Sequence, residues 1–168
     1  MKLPICSFDA KIGVLCPKCE AKLRSGELTQ TDVDVSIALV KLAAKVPALD
    51  KLTLKRAYSM DGEIVLLLGQ GDMAQIRGNP KLSSSIQEAL GKKIWFTEAE
   101  SDDRKFVESL LYPARIMTMN TVFVPDGSRI MKITIPGRRT SKFPVDIEKV
   151  KNIVKETRGI DLVVRFER

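Results

Sequence analysis

One order of patterns occurs twice along this chain and limits what it can fold into: a helical stripe, two strand-like runs about a turn, a helix closed by glycine, and a last strand. In the first pass Val33, Ile37, Val40 and Ala44 recur at spacings of three and four, one face of a helix, with Thr31 and Asp34 as its expected cap and Pro47 as its stop. Residues 52–58 and 64–68 read as strands joined at Asp61-Gly62, a dipeptide suited to a tight hairpin turn. A glycine-rich turn at Gly69 and Gly71 leads into a short helix over 72–76. Pro80 then opens a helix that runs to Leu90 and stops at Gly91. A strand over 93–97 closes the unit. Its neighbours Trp95 and Phe96 face opposite sides, so at least one belongs to the core.

The second pass repeats the order with one loss. Residues 102–111 read as a helix ended by Pro113, strands over 115–124 and 129–135 flank Pro125-Asp126-Gly127, and a helix over 146–157 precedes a strand over 160–166. A basic loop, residues 137–142, stands where the short helix was. Segregated helices and short strands predict an α+β fold with modules at 29–98 and 102–168. Residues 1–24 hold all three cysteines together with Pro4, Gly13 and Pro17. They read as a loop-rich knuckle too short to bury its own core.

That knuckle carries the clearest ligand spacing. Cys16-Pro17-Lys18-Cys19 is a Cys-x-x-Cys turn, and Cys6-Ser7-Phe8-Asp9 repeats the spacing with a carboxylate in the last place. Two such turns supply four donors to one tetrahedral ion, so Cys6, Asp9, Cys16 and Cys19 are the candidate metal ligands, with structural zinc as the expected ion. Two other readings of the same residues stand beside it: a segment without metal, and a thiol redox pair formed by Cys16 and Cys19.

Charge and composition narrow the function. The chain carries +7, and residues 115–168 hold nearly all of the excess, with 12 basic side chains against 6 acidic ones. A basic face concentrated in one third of the chain suits a polyanion such as nucleic acid. There is no histidine, which excludes Ser-His-Asp and Cys-His triads, imidazole acid-base chemistry and His-ligated metals. No cluster of Lys, Asp, Glu or Cys suggests catalysis, and the expectation is a non-enzyme with no small-molecule substrate. No apolar run approaches the roughly 20 residues of a membrane span, and the first residues lack a signal-peptide pattern, so a cytosolic protein is expected.

The segment Gln75-Ile76-Arg77-Gly78-Asn79-Pro80-Lys81-Leu82, followed by Ala89-Leu90-Gly91-Lys92-Lys93-Ile94, resembles the loop, helix and Gly-Lys-Lys signature of the NusA-type KH domains. Val107-Glu108-Ser109-Leu110-Leu111-Tyr112-Pro113-Ala114 is similar to the bridge between the two modules of that family. The resemblance covers about residues 50–168, and within the family it is greatest to the short archaeal NusA-like factors. It implies two tandem type II KH-like modules behind the knuckle and single-stranded RNA as ligand, with RNA polymerase or the ribosome as protein partner. Carried onto this sequence, it implicates Arg77, Gly78, Asn79, Lys81, Lys92 and Lys93 in the first module. Arg138, Arg139 and Lys142 form the substitute loop of the second. Arg77-Gly78-Asn79-Pro80 lacks both glycines of the family's Gly-x-x-Gly turn, and the second module has no such turn. Phosphate contact by charge is therefore expected ahead of base reading. A protein-docking role with incidental RNA contact is the alternative function.

Overall fold

Asp32 sets the first helix of the first module. Its carboxylate accepts hydrogen bonds from the Thr29 amide (2.8 Å) and hydroxyl (3.0 Å), while the Thr29 hydroxyl accepts from the Asp32 amide. This reciprocal capping box starts helix α3 (Gln30–Ala43) two residues before the expected Thr31/Asp34 cap. The computed structural model describes residues 1–112, 114–137 and 145–167. The chain divides into two units, Met1–Ser101 and Asp102–Arg168.

In the first unit two short helices precede α3. Helix α1 (Ser7–Ile12) ends at Gly13 and α2 (Pro17–Ser25) ends at Gly26, both glycines with positive φ, so the expected loop-rich knuckle is largely helical. After α3 a short 3₁₀ turn spans Pro47–Lys51. Strands β1 (Leu54–Met60) and β2 (Glu63–Leu68) pair antiparallel about Asp61 and Gly62, whose φ values of 48° and 77° are those of a two-residue primed turn. Helices α4 (Asp72–Gly78) and α5 (Pro80–Leu90) lead to β3 (Ile94–Glu98), which lies parallel to β2. The sheet order is β1-β2-β3.

Helix α3 has two apolar faces. Val35 and Leu39 join Leu49, Leu52, Leu54, Ala57, Leu66, Leu82 and Ile86 in the core between sheet and helices. Val33, with Ile37 and Val40 beside it, packs instead against Ile5, Ala10, Cys19 and Leu28 of the N-terminal segment. That segment therefore borrows its core from α3. Full burial of each large aliphatic side chain contributes about 1.5–3 kcal/mol, which makes this shared helix the organising element of the unit.

Two more carboxylates place the α4–α5 arm. Asp72, buried at the start of α4, accepts from the amides of Thr53 (2.8 Å) and Gly69 (3.1 Å). A Cβ on Gly69 would lie 2.9 Å from Thr53 Cβ, so glycine is required there. Glu98 accepts from the amides of Gly71 (3.1 Å) and Met73 (3.3 Å), tying the first turn of α4 to β3. Trp95 is buried and its indole N–H donates to Glu63 (3.0 Å), while the Lys93 ammonium lies 4.7 Å from the ring centre. Phe96 is partly buried against the core.

The second unit repeats the arrangement as α6 (Asp103–Leu111), β4 (Thr118–Phe123), β5 (Arg129–Pro136), α7 (Ile147–Arg158) and β6 (Ile160–Glu167). Its sheet order is β4-β5-β6, again one antiparallel and one parallel pair with the middle strand central. Strand β4 starts at Thr118, later than the expected 115. Asp103 at the start of α6 accepts from Arg129 (2.8 Å) and Arg158 (2.7 Å), and the Arg158 guanidinium lies 4.2 Å from the Phe106 ring centre. Pro113 and the basic loop with Arg138, Arg139 and Lys142 lie outside the described residues. The whole is an α+β fold of two modules with a cysteine-rich N-terminal segment. Among the described residues no helix is long and apolar enough to cross a membrane.

The Asp32 carboxylate also accepts from the Ala57 amide (2.6 Å) and from Arg56 Nε (3.1 Å), so it binds α3 to β1 as well as capping the helix. Asp32→Ala removes the cap and strands buried amides, and should destabilise the first unit by about 2–4 kcal/mol. Denaturant unfolding followed by fluorescence of Trp95, the single tryptophan, reads this directly. An unchanged midpoint would show that α3 does not depend on Asp32.

Candidate metal centre

Each Cys-x-x spacing occupies the same place on a helix. Cys6 and Asp9 are the N-cap and third residues of α1, and Cys16 and Cys19 hold those positions on α2. The helical turn brings each pair to one side, and packing of both helices on α3 brings the pairs together. The four donor atoms all lie within 4.8 Å of one another.

The sulfur separations suit a shared ion. Cys6 Sγ lies 3.9 Å from Cys16 Sγ and 3.6 Å from Cys19 Sγ. A tetrahedral ion with metal–sulfur bonds of about 2.3 Å separates its sulfurs by about 3.8 Å. Both distances are far beyond the roughly 2.05 Å of a disulfide, and all three cysteines are free. Asp9 Oδ2 accepts from the Cys16 amide (3.1 Å), which links the two turns. Asp9 and Cys19 form the buried inner side, while Cys6 is exposed and leaves an entry path from solvent. The four side chains can thus hold a metal ion.

Electrostatics within the cluster are reciprocal. Hydrogen bonds from the Cys19 thiol and then the Cys16 amide hold the Asp9 carboxyl below its ordinary value. Burial first, with hydrogen bonding to Asp9 and Cys6, pushes the Cys19 thiol up to about 12. Asp9 therefore stays charged while Cys19 keeps its proton.

The candidate nucleic-acid residues fall into two groups. Arg77, Gly78, Asn79 and Lys81 form the α4–α5 turn, where Asn79 stands between the two helices without a side-chain capping bond, and Arg77, Gly78 and Lys81 are exposed. Gly78 has no positive φ, and a Cβ there would meet nothing within 4 Å. The fold does not require this glycine. Lys92 and Lys93, also exposed, follow the other end of α5, about 16 Å away along the helix axis. A groove of about 400 Å³ between α3 and α5, lined by Ile37, Ala38, Leu42, Lys41 and Lys45, reaches α5 at Ala89, on that far end. The turn and the Lys92-Lys93 pair thus lie at opposite ends of α5.

Because Cys19 must lose its proton to bind an ion, metal uptake at neutral pH should release that proton, and affinity should fall as pH falls. In the metal-free protein the signs follow from the shifts. The Cys19 contribution to stability is present below its ordinary 9.0 and is lost as pH rises toward 12. The Asp9 contribution is present above its ordinary 3.8 and is lost as pH falls through its lower folded value. Asp9→Ala should weaken metal binding by at least about 10-fold. Competition titration against a chromophoric chelator at several pH values checks both expectations; pH-independent affinity would exclude thiolate ligation.

No family model matches the chain, and no curated protein matches it. Among solved structures, the fold is similar to one described as the crystal structure of APE1850, with a TM-score of 0.57 and 19% identity over 76% of this chain and 95% of that one. At that identity the likeness shows the fold alone.

Proposed function

We propose that this chain is a non-catalytic factor that binds single-stranded RNA through the α4–α5 turn, steadied by a structural zinc ion on Cys6, Asp9, Cys16 and Cys19. The observation that carries the reading is the turn itself. It presents a glycine that the fold does not need, open space above it, and the cationic side chains Arg77 and Lys81 on either side. A backbone without a Cβ lets a sugar-phosphate strand approach closely, and the neighbouring cations neutralise phosphate. The resemblance of residues 75–94 to NusA-type KH sequences and the recurrence of one strand-and-helix order in two units support a role in transcription elongation or termination.

Zinc follows from the chemistry of the donor set. Three thiolates favour a soft or borderline ion, and four protein ligands leave no open position for substrate, the pattern of structural sites. The ion would clip α1 to α2 and hold both on α3.

A specific feature favours protein docking as a second role. Phe8, Ile12 and Val14 are 69%, 53% and 63% exposed beside the cysteine cluster, an apolar surface unrelated to the α4–α5 turn. Recovery of RNA polymerase or ribosomes that is lost with Phe8→Ser and Ile12→Ser, yet survives nuclease, would establish that role.

RNA binding is tested by fluorescence anisotropy with single-stranded RNA at a series of salt concentrations. The reading expects a steep salt slope, reduced by about 0.7 for each of Arg77→Gln and Lys81→Gln. Gly78→Ala should leave the Trp95 unfolding midpoint unchanged or slightly raised, since alanine suits a helix better by roughly 0.5–1 kcal/mol, while weakening RNA binding. Absence of binding at low salt would rule the reading out.

A further inference from the structure

Strand β4 is an edge strand: it pairs only with β5 among the described residues. Edges of this kind are usually guarded by charge, proline or a bulge against pairing with another chain. Here residues 116–124 contain no charged residue, proline or glycine, although the chain as a whole is 29% charged. The strand is also exposed along nearly its whole length, and Phe123, at its end, is 75% exposed.

The hydrogen-bond phase of β4 decides what can pair with it. The Val124 amide donates to Ser128 (2.9 Å), and the register pairs Val122 with Ile130, Asn120 with Lys132 and Thr118 with Thr134. In an antiparallel ladder the bonded pairs alternate, so backbone groups of the even-numbered residues point to β5. Those of Met119, Thr121 and Phe123 point outward.

This outward set is self-complementary. If Thr121 faces Thr121 of a second copy across a two-fold axis normal to the sheet, Met119 faces Phe123 and Phe123 faces Met119. All three outward residues of each strand then exchange both backbone hydrogen bonds. The same register sets two sulfur–aromatic contacts and one Thr–Thr pair on the helix-covered face, and Asn120 against Val122 on the other. No charge meets its own image, which matters for a chain of net charge +7.

We propose that β4 pairs antiparallel with β4 of a second copy of this chain, about a two-fold axis at Thr121, giving a continuous six-stranded sheet. The contact is isologous, and five paired residues, 119–123, about 17 Å of strand, place it among weak, concentration-dependent associations. It is independent of the RNA and metal readings.

Sedimentation of the full chain over a wide concentration range should show reversible growth from monomer to dimer, and Thr121→Lys, which sets two like charges face to face, should keep it monomeric. Disulfide trapping tests the register. Across a bonded pair the Cα atoms are about 5.5 Å apart, within disulfide reach, so Thr121→Cys should cross-link to itself. Asn120→Cys should cross-link with Val122→Cys in a mixture but not with itself, with the wild-type chain as control for Cys6, Cys16 and Cys19. A chain that stays monomeric throughout would overturn the proposal, as would a dimer indifferent to Thr121→Lys. Equal self-cross-linking of Thr121→Cys and Asn120→Cys would overturn the register and with it the two-fold pairing; monomers that acquire a strand only from another protein would do the same.

Discussion

The Asp32 carboxylate is the constraint on which the first unit turns. It is fully buried, yet it receives the Thr29 hydroxyl, the amides of Thr29 and Ala57, and the Arg56 guanidinium. A buried charge is tolerated only when its lone pairs are filled, and here the filling groups come from the helix start and from β1. The result is a fixed rotation of α3 about its own axis. That rotation turns Val35 and Leu39 toward the sheet and Val33 toward the N-terminal segment, so one helix serves two apolar clusters.

The metal centre inherits its geometry from this arrangement. Helices as short as α1 and α2 have little stability of their own, since few residues offset the cost of the first turn. They persist because Ala10, Cys19 and Leu28 bury against α3, and because Asp9 joins the two turns through the Cys16 amide. A bound ion would add a second clip at the same point. The start of α4 is held by a separate set of carboxylates, Asp72 and Glu98.

Local chemistry made much of this legible in the sequence, and tertiary context decided the rest. Asp61-Gly62, Pro80 and Gly91 mark their hairpin and helix ends because each answers a local backbone demand. The ligand spacing of Cys6, Asp9, Cys16 and Cys19 was readable for the same reason. The cap is expected at Thr31 and Asp34, but Asp32 pairs with Thr29 instead and is held there by the amide of Ala57, 25 residues away. The second apolar face of α3 was hidden in a nearly continuous apolar run, where periodicity alone assigns a single stripe. Gly13 and Pro17 read as marks of a loop, whereas they bound helices α1 and α2, which are too short for an apolar period to reveal. The separation of Lys92 and Lys93 from Arg77 and Lys81 follows from the length of α5, which Pro80 and Gly91 already bounded in the sequence. The unguarded edge of β4 was visible as an uncharged run, but its significance required knowing that the strand lies at the edge.

Under the proposed function, RNA meets this protein at the α4–α5 turn. Hydrogen–deuterium exchange of the full chain, with and without single-stranded RNA at low salt, tests it most directly. Slower exchange is expected on RNA addition over residues 77–82, with the cysteine segment unchanged. Protection confined to residues 1–28, or none anywhere in the first unit, would contradict it.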